Sequence, residues 1–249
     1  MVTGIVLYKG PSMLAGHGPI VAIATFYSKN EKTGNMIQAT ILPDYKPGPL
    51  RAMRRRRINS AACGNCPLQG QYSRKRRKMT SRVCYVNVGQ ATRDIWDKYR
   101  RGGYPEYNGR AHNSLFRGRT VRWGAYGDPA ALPLPLIRTI NALADRWTGY
   151  SHQLLDGTVG RARADKLARI FMASTHDAKS TRQAIARKYR YFAAVSADEA
   201  PPTGAMACPY GRPGVTCEKC RLCNGGTGRN IFIKAHAAVG NNLPLIQLP

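Results

Sequence analysis

In the first part of the chain, hydrophobic residues alternate with small or polar ones, at the period of two that is typical of β-strands. Three such runs, at residues 5–8, 20–26 and 36–42, are separated by turns rich in Gly, Asn and Pro. We therefore predict a small antiparallel β meander within residues 1–50.

The next segment, residues 51–118, is basic and contains cysteines. Apolar residues recur every three or four positions over residues 88–99, and Gly102 and Gly103 follow this run. That spacing predicts one helix in the segment, ended by the glycines.

Residues 119–249 alternate strand-like and helix-like runs and contain a cysteine-rich loop near their end. The predicted strands are residues 120–126, 149–155, 170–176, 191–196 and 230–236, and the predicted helices are residues 134–147, 161–169 and 181–189. This βαβα order predicts an α/β fold with a parallel sheet. A whole or partial α/β barrel fits the length best, with a doubly wound sheet as the alternative. We expect the three segments to form one compact unit.

The chain is strongly basic. It has 39 Lys and Arg residues but only 13 Asp and Glu residues, which gives a formal net charge of +26. Such an excess predicts a polyanionic partner, either RNA or DNA. Two dense basic runs bracket Cys63 and Cys66 and are the predicted phosphate-binding residues. They are Arg54, Arg55, Arg56, Arg57, Arg74, Lys75, Arg76, Arg77 and Lys78. The alternative is a solvated, partly disordered basic loop.

Four cysteines fall within sixteen residues, among Pro and Gly turns: Cys208, Cys217, Cys220 and Cys223. Thiols this close predict a metal site. The last three follow the spacing of the three-thiolate run of bacterial ferredoxins, which favours an iron–sulfur cluster, most simply 4Fe–4S. Zinc and disulfides are the alternatives.

A second cysteine set consists of Cys63, Cys66 and, after seventeen intervening residues, Cys84. Three thiolates on a four-iron cluster would leave one iron open to a small ligand, and on zinc they would leave a position for water. We predict a cofactor here. The alternative is a Cys-x-x-Cys pair with an ordinary buried Cys84.

Polar residues fall at or just past the ends of predicted strands, where α/β barrels have their active sites. The candidate catalytic residues are Asp128, His152, His176 and Glu199, and Asp198 and His236 have similar positions. The alternative roles are a turn at Asp128 and a helix cap after His176.

Several sequence features that would indicate other functions are absent. No apolar run approaches the roughly 20 residues that cross a bilayer, and the start lacks the apolar region of a signal peptide, so we expect a cytoplasmic protein with no membrane partner. No Walker-type phosphate loop and no Gly-x-Ser-x-Gly elbow are present. Nucleotide hydrolysis and acyl transfer are therefore unsupported.

The landmarks over residues 60–226 resemble, in their order, the cysteine-rich phage and bacterial proteins of the gene-product-eighty-eight type. They are Cys66-Pro67, Cys84-Tyr85, Gly127-Asp128, and Cys208-Pro209 followed by Cys217, Cys220 and Cys223. The resemblance implies a phage origin and a layout similar to radical S-adenosylmethionine enzymes, with an α/β barrel and three cysteines on an open four-iron cluster. The wide gap before Cys84 departs from the Cys-x-x-x-Cys-x-x-Cys motif of those enzymes and argues against S-adenosylmethionine binding.

Three functions remain open. The first is an iron–sulfur enzyme that binds and modifies nucleic acid. The second is a non-catalytic nucleic-acid-binding protein whose loops are held by zinc or a cluster. The third is a phage structural or host-takeover protein that grips a host complex through its basic surface.

Overall fold

A computed structural model describes residues 2–14, 18–28, 30–80, 82, 84, 86, 88–196, 199–210 and 212–234. Three residues named above, Tyr85, Asp198 and His236, lie outside the described residues. No helix in the described part of the chain is long and apolar enough to span a membrane.

The described chain alternates between short strands and short helices. Its strands are β1 (Gly4–Pro11), β2 (Pro19–Thr25), β3 (Ile37–Pro43), β4 (Gln71–Ser73), β5 (Lys78–Thr80), β6 (Thr120–Tyr126), β7 (Arg146–Thr148), β8 (Tyr150–Ser151), β9 (Met172–Thr175), β10 (Tyr191–Val195), β11 (Met206–Ala207) and β12 (Ile231–Lys234). Its helices are α1 (Pro49–Met53), α2 (Arg56–Cys63), α3 (Ala91–Arg100), α4 (Gly109–His112), α5 (Leu134–Leu143), α6 (Arg161–Ala168), α7 (Ala178–Ala186) and α8 (Cys217–Cys220).

The first sheet has the strand order β1-β2-β3-β6-β7. β1, β2 and β3 pair antiparallel, which confirms the predicted meander, while β3, β6 and β7 run parallel. All seven residues of β3 are buried, as expected for a central strand covered on both faces.

The second sheet, in the order β11-β12-β10-β9-β8, is parallel throughout, which confirms the mixed α/β class. Only Gly149 separates β7 from β8, so one stretch of chain passes from the first sheet to the second. A Cβ at Gly149 would lie 2.9 Å from Cδ1 of Phe171 and 3.2 Å from Cβ of Trp123, so the packing at this junction favours glycine. The described strands form two sheets and not a closed barrel.

One hydrophobic core serves both sheets, because buried side chains of β6, β9 and β10 belong to a single packed cluster with those of the meander. Trp123 and Phe171 meet edge to face in it, with ring centroids 6.5 Å apart. A second cluster on the other face of the first sheet includes Val21, Ile23 and Trp96 of α3. The helices therefore cover the sheets and leave the strand ends to form cavities.

Three details differ from the sequence-based predictions. The helix predicted over residues 134–147 ends at Leu143, because Arg146–Thr148 pairs with β6 as β7. The segment from 51 to 118 contains α1, α2, α3 and α4, more than the one helix predicted. The first basic run leads into α2, and the second forms the turn of the β4–β5 hairpin and the first residue of β5, so both runs adjoin regular elements.

Candidate functional site

A cavity of about 320 Å³ lies where the ends of β6 and β8 meet the segment from Cys63 to Val86. We call it the large cavity. Thiols, polar groups and aromatic rings line its wall: Cys63, Cys66, Cys84, Asp128, His152, Ser174, Tyr126, Tyr150, Phe192 and Tyr210. Cys63, Cys66 and Cys84 and two of the four candidate catalytic residues therefore share one site.

The backbone brings the three thiols of this cavity together. Cys63 is the last residue of α2, and its carbonyl accepts a hydrogen bond from the Cys66 N–H at 3.1 Å. The Cys84 N–H donates to the carbonyl of Leu68 at 2.9 Å, which returns the chain to the same wall after the hairpin. Burial, and then the proximity of Cys84, raises the pKa of Cys63 to about 12.

A buried polar network holds α2 against β6. The Tyr126 hydroxyl donates to Oδ1 of Asn59 at 2.6 Å, and Nδ2 of Asn59 donates to Oε1 of Gln69 at 2.9 Å. These groups are buried, so losing one partner would leave the other unsatisfied, at a cost of about 1–3 kcal/mol. The network therefore fixes the helix that presents Cys63.

Asp128 links the end of β6 to the end of β8. Its Oδ1 accepts from the Ala130 N–H at 2.9 Å, and its Oδ2 accepts from the His152 N–H at 2.9 Å. Burial raises the pKa of Asp128 to about 6, although these hydrogen bonds act in the opposite direction. Asp128 therefore both shapes the cavity wall and places a carboxyl group there that titrates near neutral pH.

His152 and Ser174 form a hydrogen-bonded pair in the large cavity, with Nε2 and Oγ 3.0 Å apart. Burial, followed by the nearby His176, lowers the pKa of His152 to about 3. The imidazole is therefore neutral at physiological pH, and one of its ring nitrogens can accept a hydrogen bond. Ser174 was not among the residues predicted from sequence. The available signal is a polar pair, Ser174 and Thr175, at the end of a strand that begins with apolar residues.

The other two candidate catalytic residues are not in the cavity wall. His176 lies beside His152, with ring centroids 6.0 Å apart, and precedes the capping box that Asp177 and Ser180 form at the start of α7. The Glu199 carboxylate accepts from the Ser196 N–H at 3.4 Å in the loop after β10. Both positions agree with the alternative capping and loop roles.

The four cysteines of residues 208–223 line a smaller pocket of about 30 Å³, which we call the small pocket. All four of its predicted ligands are in the wall: Cys208, Cys217, Cys220 and Cys223. Burial, and then the proximity of Cys208, raises the pKa of Cys223 to about 12. The four thiols thus share one confined, apolar site.

Backbone hydrogen bonds fasten this loop to both sheets. The Cys208 N–H donates to the carbonyl of Phe232 at 2.8 Å, and the Cys223 carbonyl accepts from the Gly149 N–H at 2.8 Å. The guanidinium of Arg190, itself buried, donates to the carbonyls of Leu222, at 3.1 Å, and Asn224, at 2.5 Å. The loop is therefore built into the junction between the sheets.

Two tyrosines, Tyr150 and Tyr210, line both the large cavity and the small pocket. Tyr150 stacks on Phe192 with ring centroids 4.7 Å apart, and Nζ of Lys32 lies 4.4 Å from the centroid of the Tyr210 ring. The two cysteine sites are therefore neighbours with an aromatic partition between them.

The described residues contain no group of three or more His, Cys, Asp and Glu side chains with the geometry of a metal-ion site. All seven cysteines are free thiols. The donor chemistry fits a soft metal, because thiolates in threes and fours are ligands of zinc and of iron–sulfur clusters. The support for a metal therefore comes from the way the thiols are grouped and not from a coordination geometry.

The two basic runs lie close together beside the large cavity. The guanidinium carbon of Arg54 lies 5.4 Å from the ring centroid of Tyr72, which belongs to the hairpin that bears the second run. All nine side chains are exposed, and no Asp or Glu occurs between Asp44 and Asp94. We call these nine residues, the same ones predicted to bind phosphate, the basic face.

Comparisons of the chain with protein-family models, with curated proteins and with solved structures gave no match.

Proposed function

We propose that this chain is an iron–sulfur protein that binds nucleic acid and modifies it in the large cavity. The observation that carries the proposal is the division of the seven cysteines between two adjacent sites, four in a confined pocket and three in a cavity that also contains Asp128, His152 and Ser174. A site that only stabilises the fold needs no cavity of this size, whereas a reaction site does.

Each cysteine set has its own role in this proposal. Cys208, Cys217, Cys220 and Cys223 would hold one cluster with all four positions filled by protein. Cys63, Cys66 and Cys84 would hold a second. With three protein ligands, that cluster would supply an iron with an open position for substrate binding or electron transfer.

The chain's own polar groups would handle protons at the same site. His152 is neutral, and its Nε2 lies within hydrogen-bonding distance of the Ser174 hydroxyl, so the pair would orient a substrate by hydrogen bonding. Asp128, with a pKa of about 6, can hold a proton at slightly acid pH and release it above. Asp128 would therefore be the acid–base group of this site.

The same proposal includes the barrel architecture and the phage origin that were predicted from the sequence. The two sheets that meet at Gly149 would be an open, partial α/β barrel, with the large cavity at the ends of its parallel strands. The similarity in landmarks to the gene-product-eighty-eight type supports a phage protein that works in the host cytoplasm.

A zinc-stapled nucleic-acid-binding protein is the second candidate, because His152 lines the large cavity with Cys63, Cys66 and Cys84. Three thiolates and one imidazole make a complete structural zinc site. The cavity would then lack an open metal position, and mutation of the other polar residues would leave nucleic-acid binding unchanged.

Anaerobic purification followed by analysis for iron, acid-labile sulfide and zinc tests the metal. We expect a brown protein that absorbs in the violet and contains iron and sulfide. Zinc without iron would replace the first candidate with the second. A colourless protein with neither metal would overturn both.

Binding of oligonucleotides at several salt concentrations tests the partner. Replacing Arg74, Lys75, Arg76 and Lys78 together by alanine should weaken binding and reduce the slope of log K against log salt by about 3, at roughly 0.7–0.9 per phosphate contact. The control removes the same charge from exposed positions elsewhere: Arg138, Lys166, Lys179 and Arg182. Equal losses in both variants would contradict a specific basic face.

A further inference from the structure

We propose that the large cavity receives a single base turned out of a nucleic acid that is held on the basic face. This inference rests on the nucleic-acid part of the proposed function. It adds that the part of the nucleic acid recognised in the cavity is a single base. Enzymes that act on a base must take it out of the stack and enclose it. The structure offers a path, a stacking surface and a polar end for such a base.

The path follows from the chain between Cys66 and Cys84. Both cysteines line the large cavity, and the residues between them form the β4–β5 hairpin whose turn belongs to the basic face. Each strand has three residues, which at about 3.3 Å per residue makes a hairpin roughly 10 Å long. Phosphates on this turn would therefore lie close enough for one adjoining nucleotide to reach the cavity.

The stacking surface is the aromatic partition. Tyr150 and Phe192 form a stacked pair, with 23° between their planes, and Tyr210 lies in the same wall. Bases stack on such rings whatever their identity, because every base has a π-face. The wall between the two cysteine sites thus has the surface that an unstacked base requires.

The polar groups of the same wall suit the edge of a base. Ser174 can donate and accept through its hydroxyl, and His152 is its neutral partner, while Asp128 supplies a carboxyl group. The cavity volume, about 320 Å³, is at the lower end of the roughly 300–1,000 Å³ typical of ligand pockets. This space, which the occupant of the three thiols would share, suits one base and not a base pair.

Photocrosslinking of single-stranded DNA and RNA oligonucleotides that contain 5-iodouracil, followed by peptide mapping, tests this inference on the anaerobically purified chain. We expect crosslinks at Tyr150, Tyr210 or Phe192. Crosslinks confined to Tyr72 and Tyr45, which contact arginines of the basic face, would overturn it while leaving nucleic-acid binding intact. An absence of salt-dependent binding would overturn the proposed function as well.

A variant that fills the cavity sharpens the test. Ala194→Phe places a ring in the cavity wall, so crosslinks inside should disappear and affinity should fall about fivefold or more, with the salt slope unchanged. Ala162→Phe, at an exposed position of α6, is the control and should behave like the parent. Crosslinks that persist in Ala194→Phe would refute a base in the cavity. The map of the parent chain decides the question even if the variant does not fold.

Discussion

The small pocket and the large cavity both gather cysteines, but the chain builds them in different ways. The small pocket takes its four thiols from one stretch, 208–223, and leaves about 30 Å³ of space. The large cavity takes its three thiols from residues 63–84, adds groups from five parallel strands, and encloses about 320 Å³. The first arrangement suits a closed site, whereas the second leaves room for a substrate.

The two sites also differ in how firmly they are joined to the rest of the fold. The loop of the small pocket is joined to both sheets, through Gly149 at the junction, through Arg190, and through Lys32, whose carbonyl accepts from the Cys217 N–H at 2.9 Å. The segment from Cys66 to Cys84 contains a two-stranded hairpin whose turn points its charges to solvent. Damage to the small pocket should therefore affect the fold, and damage to the large cavity should affect function.

Replacing one cysteine in each site gives the largest expected contrast. Cys220→Ser should lose the occupant of the small pocket together with most of the folded protein, because binding at a structural metal site is coupled to folding. Cys84→Ser should lose only the occupant of the large cavity, about half of the iron if both sites hold four-iron clusters. Iron analysis, soluble yield and circular dichroism measure both effects. The same metal content in both variants and in the parent would refute the division into two sites.

Two adjacent glycines test how the small pocket is fastened. A Cβ at Gly225 would lie 2.1 Å from the Ala168 carbonyl oxygen and 2.6 Å from backbone atoms of Phe171, whereas a Cβ at Gly226 meets nothing closer than 3.3 Å. We expect Gly225→Ala to lower the free energy of unfolding by about 1–3 kcal/mol or more, because backbone atoms must move. Gly226→Ala is the matched control and should change it little.

The metal content of the glycine variants separates the two sites. Displacement of the loop in Gly225→Ala should reduce the occupant of the small pocket and spare that of the large cavity. Urea unfolding and metal analysis of the two variants check this. Equal stability and metal content in both would show that the contact at Gly225 does not hold the loop in place.

The sequence predicted which cysteines lie together and eight of the twelve described strands, because both depend on local spacing, but it missed the short strands β4, β5 and β11. It missed β7, because Trp147 continues the apolar spacing of α5 while the pairing of Arg146–Thr148 with β6 is a tertiary effect. It also missed the aromatic partition. Nothing local in Tyr150 or Tyr210 shows that strands distant in sequence bring them together.

We chose the candidate catalytic residues because they fall at the ends of predicted strands, and this criterion succeeded only in part in locating the cavity wall. Asp128 and His152 do line one cavity, because the ends of β6 and β8 are adjacent and Asp128 accepts a hydrogen bond from the His152 backbone. The criterion could not show that Glu199 instead accepts from the nearby Ser196 N–H. Which way a side chain points at a strand end depends on the following loop, and a loop gives no periodic signal.

The smallest expected effect concerns pH, where two groups of the large cavity oppose each other. His152 stays neutral in the folded chain, so the unfolded chain binds an extra proton below pH 6.5, its ordinary pKa, and acidification lowers stability. Asp128 holds its proton up to about pH 6 when folded, but only to its ordinary pKa of 3.8 when unfolded, so acidification raises stability. Between about pH 8 and pH 5 each contribution is on the order of 1–2 kcal/mol, and the two nearly cancel.

Single variants should reveal each contribution. Asp128→Asn leaves His152 unopposed, so its free energy of unfolding should fall more than that of the parent when the pH is lowered from 8 to 5. His152→Gln leaves Asp128 unopposed, so its free energy of unfolding should rise relative to the parent over the same range. The change with pH decides the matter, because Asp128→Asn also loses a hydrogen bond at every pH. Urea unfolding of all three proteins at both pH values measures these slopes, and parallel slopes would mean that neither group titrates as its burial requires.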